Sequence, residues 1–215
     1  MGCCCSTDSG DDNDGGVELS IATAPAIKIS AHDTCNCMTE YKDECNVLTS
    51  YGLDDTTLAS AFANTCLEQD RSYWEIHLGT NLLPGSRVVV GLAKKMKAGA
   101  IASLVEKLLS DPNPLPFENQ NEDKVYAVSI PDLKKGDSVG VCFDQNDLPQ
   151  IVFRVNGEIT SHHVQRVKGS VYPFVAWKSG TEEKATAVSM VFRGDKFKNP
   201  LPPKFGVVIA ATSLI

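Results

Sequence analysis

The residues most suited to covalent chemistry crowd the start of the chain, which reads Met1-Gly2-Cys3-Cys4-Cys5-Ser6. A glycine exposed by loss of Met1, with Ser6 completing the motif, is the pattern that N-myristoylation requires. The thiols of Cys3, Cys4 and Cys5 follow directly, where S-palmitoylation would add a second chain. One myristoyl chain binds a bilayer only marginally, with an association constant on the order of 10⁴ M⁻¹, so stable residence needs that second signal. A basic patch does not supply it: Asp8, Asp11, Asp12 and Asp14 come next, with no Lys or Arg among residues 7–16. Three adjacent thiols converge poorly on a tetrahedral ion, so acylation fits Cys3, Cys4 and Cys5 better than metal binding.

Two other groupings carry reactive side chains. His32, Cys35, Cys37 and Cys45 have the only metal-like spacing, but Cys-x-Cys is tighter than structural zinc sites use and no second Cys pair follows. The plainer expectation is a strand and loop with small interior thiols, and no metal or other cofactor. A thiol enzyme would need Cys142 or Cys66 as nucleophile with His162 or His163 as base. Cys142 falls inside an apolar run, where burial makes a thiol inert, and nothing in the spacing ties the histidines to either cysteine. Gly-rich phosphate loops and paired carboxylates are absent from the pattern. The expectation is therefore a non-enzymatic protein, with the thiol enzyme as its alternative.

The elements that must position any site are strands. Val139, Val141 and Phe143 alternate with Gly140, Cys142 and Asp144, and Ile151, Phe153 and Val155 repeat that period after a polar turn. Cys142, Asp144, Val152 and Arg154 then share the opposite face. Asn156-Gly157 tolerates positive φ and ends the second strand in a tight reversal. A hairpin with one Val/Phe face needs a second sheet over it, so two β layers are expected.

Residues 72–79 form another strand, with His77 beside Glu75 and Tyr73 as a surface imidazole by default. RVVVGLAKK at 87–95 holds a continuous apolar run and reads as an interior strand. IKIS at 27–30 and the C-terminal FGVVIAATSLI are further strand candidates, and TSHHVQRVKG at 160–169 reads as a loop. Lys97–Lys124 is ambiguous: residues 98–109 suit a helix, yet Leu104, Glu106 and Leu108 also alternate as in a strand. The prolines of residues 111–123 then break regular structure. Residues 1–24 compose a flexible acidic tail and 25–215 a single domain.

Composition bounds the function. A net charge of −7 argues against a phosphate-binding surface, so no nucleic-acid partner is expected. No run reaches the roughly 18 to 20 apolar residues of a spanning helix. Eight cysteines without a secretory signal suggest reduced thiols in the cytoplasm. The expected location is the cytosolic face of a membrane through the acylated tail, or the soluble cytoplasm without acylation.

Several motifs stand in a telling order: LASA at Leu58–Ala61, SYW at Ser72–Trp74, Gly136-Asp137 entering a strand, the Asn156-Gly157 turn, KGSVYP at Lys168–Pro173, and Pro-Pro-x-Phe-Gly at Pro202–Gly206. Their order and spacing resemble the SPRY family, small stand-alone members above all, across roughly Ile27–Phe205. The Ser-Trp motif that many SPRY domains carry before the central hairpin is missing here. The resemblance implies an all-β, SPRY-type antiparallel sandwich that binds a protein or peptide through loops at one edge, with no catalysis. Trp177, Lys178 and Arg154 are the partner-binding candidates. Trp177 ends the Tyr-Pro strand beside Lys178-Ser179-Gly180, where its ring would either anchor a partner at the sandwich edge or pack in the core.

Overall fold

Twelve strands, one α-helix and a short 3₁₀ turn make up the computed structural model, which describes residues 26–30, 34–50, 57–82, 86–96, 98–110, 125–178 and 185–210. The tail at 1–24, His32, Ser179 and Gly180 lie outside the described residues.

The central hairpin is β7 (Ser138–Asp144) against β8 (Gln150–Val155), paired Val139↔Val155, Val141↔Phe153 and Phe143↔Ile151. These three pairs point one way because strand side chains alternate, and that face joins the main core. Asn156 and Gly157, at φ 50° and 86°, turn the chain into β9 (Glu158–Gln165). Asn156 also clasps the strand start, its Oδ1 accepting the Ser138 N–H at 2.9 Å.

β9 replaces part of the expected loop at 160–169. Its burial alternates only weakly because it is an edge strand, exposed at most positions, so polar residues such as Ser161 and His163 meet no penalty there. The large antiparallel sheet runs β1 (Met38–Lys42), β2 (Cys45–Ser50), β11 (Thr186–Val191), β4 (Arg71–Leu78), β7, β8, β9. β12 (Gly206–Val207) adds a short parallel pairing to β4.

The second sheet runs β3 (Leu58–Phe62), β10 (Tyr172–Lys178), β5 (Arg87–Ala93), β6 (Val125–Pro131), all antiparallel. Its inner face sends Val88, Val90, Leu92, Val175 and Trp177 into the core shared with the hairpin. The opposite face carries Val89, Ala93, Phe174 and Ala176, and α1 (Ala98–Ser110) covers it with Ile101, Val105 and Leu108. That three-residue set at i, i+4 and i+7 is one helical face. It settles the ambiguous segment as helix over its first half and explains why β5 is apolar on both sides. Residues 111–124 lie outside the described chain.

Two terminal expectations change. The IKIS segment contributes only the bridge Ile29↔Ala63, and the C-terminal strand shrinks to Gly206–Val207. The prolines at 200, 202 and 203, which lack backbone N–H groups, keep the approach to Gly206 out of any ladder. The chain there crosses the outer face of the large sheet as a strap, residues 194–208.

Candidate functional site

The strap is fastened to one buried carboxylate. Tyr73, Glu75 and His77 share the outer face of β4, and the side chain of Glu75 is fully buried beneath the strap. Tyr73 Oη donates to Oε1 at 2.7 Å, and His77 Nε2 lies 2.6 Å from Oε2. From the strap, the Lys198 N–H donates to Oε2 at 2.8 Å, while the Asn199 N–H and Nδ2 reach Oε1 at 3.2 and 3.1 Å. Burial pushes this carboxyl up, but the hydrogen bonds from His77, Lys198, Tyr73 and Asn199 outweigh it and hold it at about 2. Burial, then the bond to Glu75, raises the Tyr73 phenol.

Spacing alone places the three residues together, but their role escapes it. His77 is no surface imidazole; its side chain is 15% exposed because the strap lies over it. The available signal was an acid in mid-strand with hydrogen-bonding side chains two residues to either side.

Gly140 stands opposite Glu75 in the register and leaves room for the Tyr73 ring. A Cβ there would collide with Tyr73 Oη and sit 2.8 Å from its Cε2. Gly140→Ala is therefore expected to displace the ring from Glu75 and from Phe197, whose centroid lies 5.0 Å away edge-on. Overpacking of this kind costs about 1–3 kcal/mol. Thermal melting checks it, and a parental melting temperature refutes this seating of the tyrosine.

At one end of the sandwich, three connections meet around an open cleft of about 620 Å³ lined by Gln69, Asp70, Arg71, Asn146, Asp147 and Lys204. The β3–β4 connection brings Gln69 and Asp70, the start of β4 brings Arg71, the β7–β8 connection the next two, and the strap the last. The frame is tightly bonded. The Gln145 N–H donates to Asp70 O at 2.8 Å, and Gln145 Nε2 to Leu67 O at 3.0 Å. Arg71 Nε meets Asp144 Oδ2 at 2.9 Å, and the Asn146 N–H donates to Oδ1 of the same carboxylate at 3.0 Å. Burial raises the Asp144 carboxyl, but those bonds outweigh it and the net shift is downward. Gln69 ties in the strap, its Nε2 donating to Val207 O at 3.0 Å. Lys204 reaches the rim on a left-handed residue, φ 71°, in a turn closed by the Phe205 N–H to Pro202 O.

Two cations, Arg71 and Lys204, and two carboxylates, Asp70 and Asp147, line this rim, and none of its lining residues is a thiol or an imidazole. Such a surface can bind a polar peptide; it holds no nucleophile paired with a base.

The candidates named from sequence lie elsewhere. Trp177 is not at the edge: it is fully buried, paired across to Ala59 and Val88, and its Nε1 donates to Ser50 Oγ at 2.9 Å. The core claims it because the alternation of β10 turns Val175 and Trp177 inward together, so the anchor reading of Trp177 is corrected. Lys178 closes β10 opposite Leu58, half-buried. Arg154 sits in the other sheet, on its outer face, and donates to Gly157 O at 2.9 Å through Nε. The three residues do not converge, and none lines the cleft.

Cys142 is 4% exposed, and burial pushes its thiol up to about 11, with Arg154 opposing. Val152 stands between it and His163 in the register. Cys66 is half-buried with Sγ toward Leu67 O, and the His162 N–H turns back to Thr160 Oγ1. No nucleophile–base pair forms from these four. Burial raises the Cys37 thiol to about 12, and among the described residues no group of three or more His, Cys, Asp or Glu could hold a metal ion. Gly2, Cys3, Cys4 and Cys5 fall outside the described residues.

Among solved structures, the chain is similar to the SPRY domain of human HERC1, with 14% identity over 76% of this chain and 96% of that one, at a TM-score of 0.49. It is similar to another human SPRY domain at 16% identity over 74% and 96%, again with a TM-score of 0.49. The NEUZ (NHR) domain in Neuralized from Drosophila melanogaster aligns at 9% identity over 80% and 95%, with the same TM-score of 0.49. No family model and no curated protein matches the sequence.

Proposed function

We propose that this chain is a SPRY-type interaction module without catalytic activity, which takes a polar peptide segment of a partner protein at the loop-end cleft. The observation that carries the reading is the cleft itself: three connections held to one end of a rigid sandwich, with their charged tips left to solvent. The order of the SPRY-like motifs supports it. The mixed rim of Asp70, Asp147, Arg71 and Lys204 favours a partner segment bearing both signs of charge.

Asp147→Lys with Lys204→Glu tests this. Both residues are exposed, so melting should stay within about 0.5 kcal/mol of the parent. Crosslinking in cells with the N-terminus intact should show partner capture falling tenfold or more. Unchanged capture would place the binding surface elsewhere.

The same reading holds the module at a membrane, with a myristoyl chain on Gly2 and palmitate on one or more of Cys3, Cys4 and Cys5. The acidic stretch then spaces the domain from an anionic surface by repulsion over about 8 Å, the Debye length at physiological salt. Gly2→Ala should move the protein to the soluble fraction. Replacing the three cysteines by Ser should leave weak, reversible binding. If wild type, Gly2→Ala and the triple-Ser form fractionate alike, the tail is no anchor.

A further inference from the structure

The middle of the strap is the run Pro200-Leu201-Pro202-Pro203. Proline fixes φ at about −65° in three of these positions. A residue that precedes a proline is also driven to extended ψ, which applies to Asn199, Leu201 and Pro202. Residues 200–202 accordingly belong to no helix, strand or turn. The run is a short polyproline II segment. Such a helix has about three residues per turn, so Pro200 and Pro203 share one face, Leu201 holds the second and Pro202 the third. Burial follows that period. Pro202 is buried against the domain, while Pro200, Leu201 and Pro203 are exposed, Leu201 by 41%. Seating the strap uses one face of the three.

Both ends of the run are held. Upstream, the Asn199 N–H donates to Glu75 Oε1 and its Nδ2 to Ser138 Oγ at 2.7 Å, while Lys198 Nζ donates to Gly136 O at 2.6 Å. Downstream, Pro203 and Lys204 are the central pair of the turn closed by Phe205 N–H to Pro202 O, and Gly206–Val207 then pairs with β4. A segment fastened this way has little conformational freedom left to lose on binding. Among the described residues, the Lys204 ammonium that follows it makes no ion pair.

The backbone decides how a partner could take the exposed faces. Only Leu201 among residues 200–203 has an N–H, so the run cannot add a strand to another sheet, and its prolines exclude a helix laid in a groove. The mode left is recognition of the preformed polyproline II shape on aromatic side chains, with prolines at i and i+3 as the repeating contact.

We propose that residues 200–204 are a docking ligand for a partner domain with an aromatic-lined polyproline groove, which carries a carboxylate at the end that meets Lys204. This partner is additional to the peptide at the cleft, and Lys204 stands where the two surfaces join.

The test sets the full chain against an array of purified SH3, WW and related polyproline-binding domains. At least one is expected to bind, and titrating it into the methyl-labelled chain should shift the Leu201 methyls. Leu201→Glu, which keeps every proline, should weaken that binding roughly tenfold or more, and so should Pro200→Ala with Pro203→Ala. Met38→Glu removes a side chain that is 60% exposed on the edge strand β1, away from the strap, and should leave the binding as it was. Thermal melting reports whether the strap variants keep their fold; if the double alanine form melts early, Leu201→Glu alone decides. No binding to any domain of the array, binding that ignores Leu201→Glu, or an equal loss with Met38→Glu overturns the proposal.

Discussion

Trp177→Ala is expected to destabilise the domain by about 3–5 kcal/mol, the range for emptying a large aromatic from a packed core. The ring is fully buried between the sheets, and its loss also strips Ser50 Oγ of the indole donor 2.9 Å away. In a domain of this size each kcal/mol lowers the melting temperature by roughly 2–4 °C, so a drop on the order of 10 °C is expected. Urea unfolding measures the free energy directly. In the cold, where the variant is still folded, partner capture at the cleft should persist, since Trp177 does not line it. A variant that melts like its parent yet loses its partner would return the ring to the sandwich edge.

Glu75→Gln should have an effect of similar size, and one that depends on pH. In the folded protein the carboxyl sits at about 2, against an ordinary value of 4.5. A depressed folded value means that the carboxylate's contribution is complete above about 4.5 and is lost as pH falls from there toward about 2. That gap corresponds to about 3 kcal/mol. The amide keeps the size of the acid but turns an NH₂ toward a ring of donors: Tyr73, His77, Lys198 and Asn199. A loss of about 3 kcal/mol is therefore expected at neutral pH, shrinking as the solution is acidified. Other depressed carboxyls, Asp144 among them, affect both proteins alike, so the difference between the two urea–pH profiles isolates Glu75. Parallel profiles would show that the strap is not fastened through this charge.

How far the structure could be read in advance depends on where each residue finds its partners. The β7–β8 hairpin was legible because Val139, Val141 and Phe143 on one strand, and Ile151, Phe153 and Val155 on the other, bury one face against one core. Local alternation is then a direct image of burial. The Asn156-Gly157 reversal was legible because its positive φ is a local demand. β9 was not, since an edge strand exposed along most of its length carries little of that image. Trp177 was read both ways because alternation cannot say how far along a strand the second sheet extends. Glu75 was missed for a more general reason. Two of the residues that satisfy it, Lys198 and Asn199, lie more than a hundred positions away and reach it partly through backbone N–H groups, which have no side-chain signature. The cleft is similarly nonlocal, assembled from three connections that meet only once the sheets are formed.

The strand order of the large sheet bears on how the protein is made. β11 lies between β2 and β4, so two of the earliest strands to leave the ribosome stay apart until one of the last arrives. More than a hundred residues separate the end of β4 from β11. At about 5–20 residues per second, the nascent chain spends roughly 5–20 s with both neighbouring strand edges unpaired. Open edges of this kind invite pairing with other chains, and pairings this distant in sequence also slow folding. The cell's chaperones would be needed most in that interval. A stop codon between the end of β10 and the end of β11 would remove the seam that joins the two parts of the sheet, so such a truncation should aggregate as badly as a core mutation.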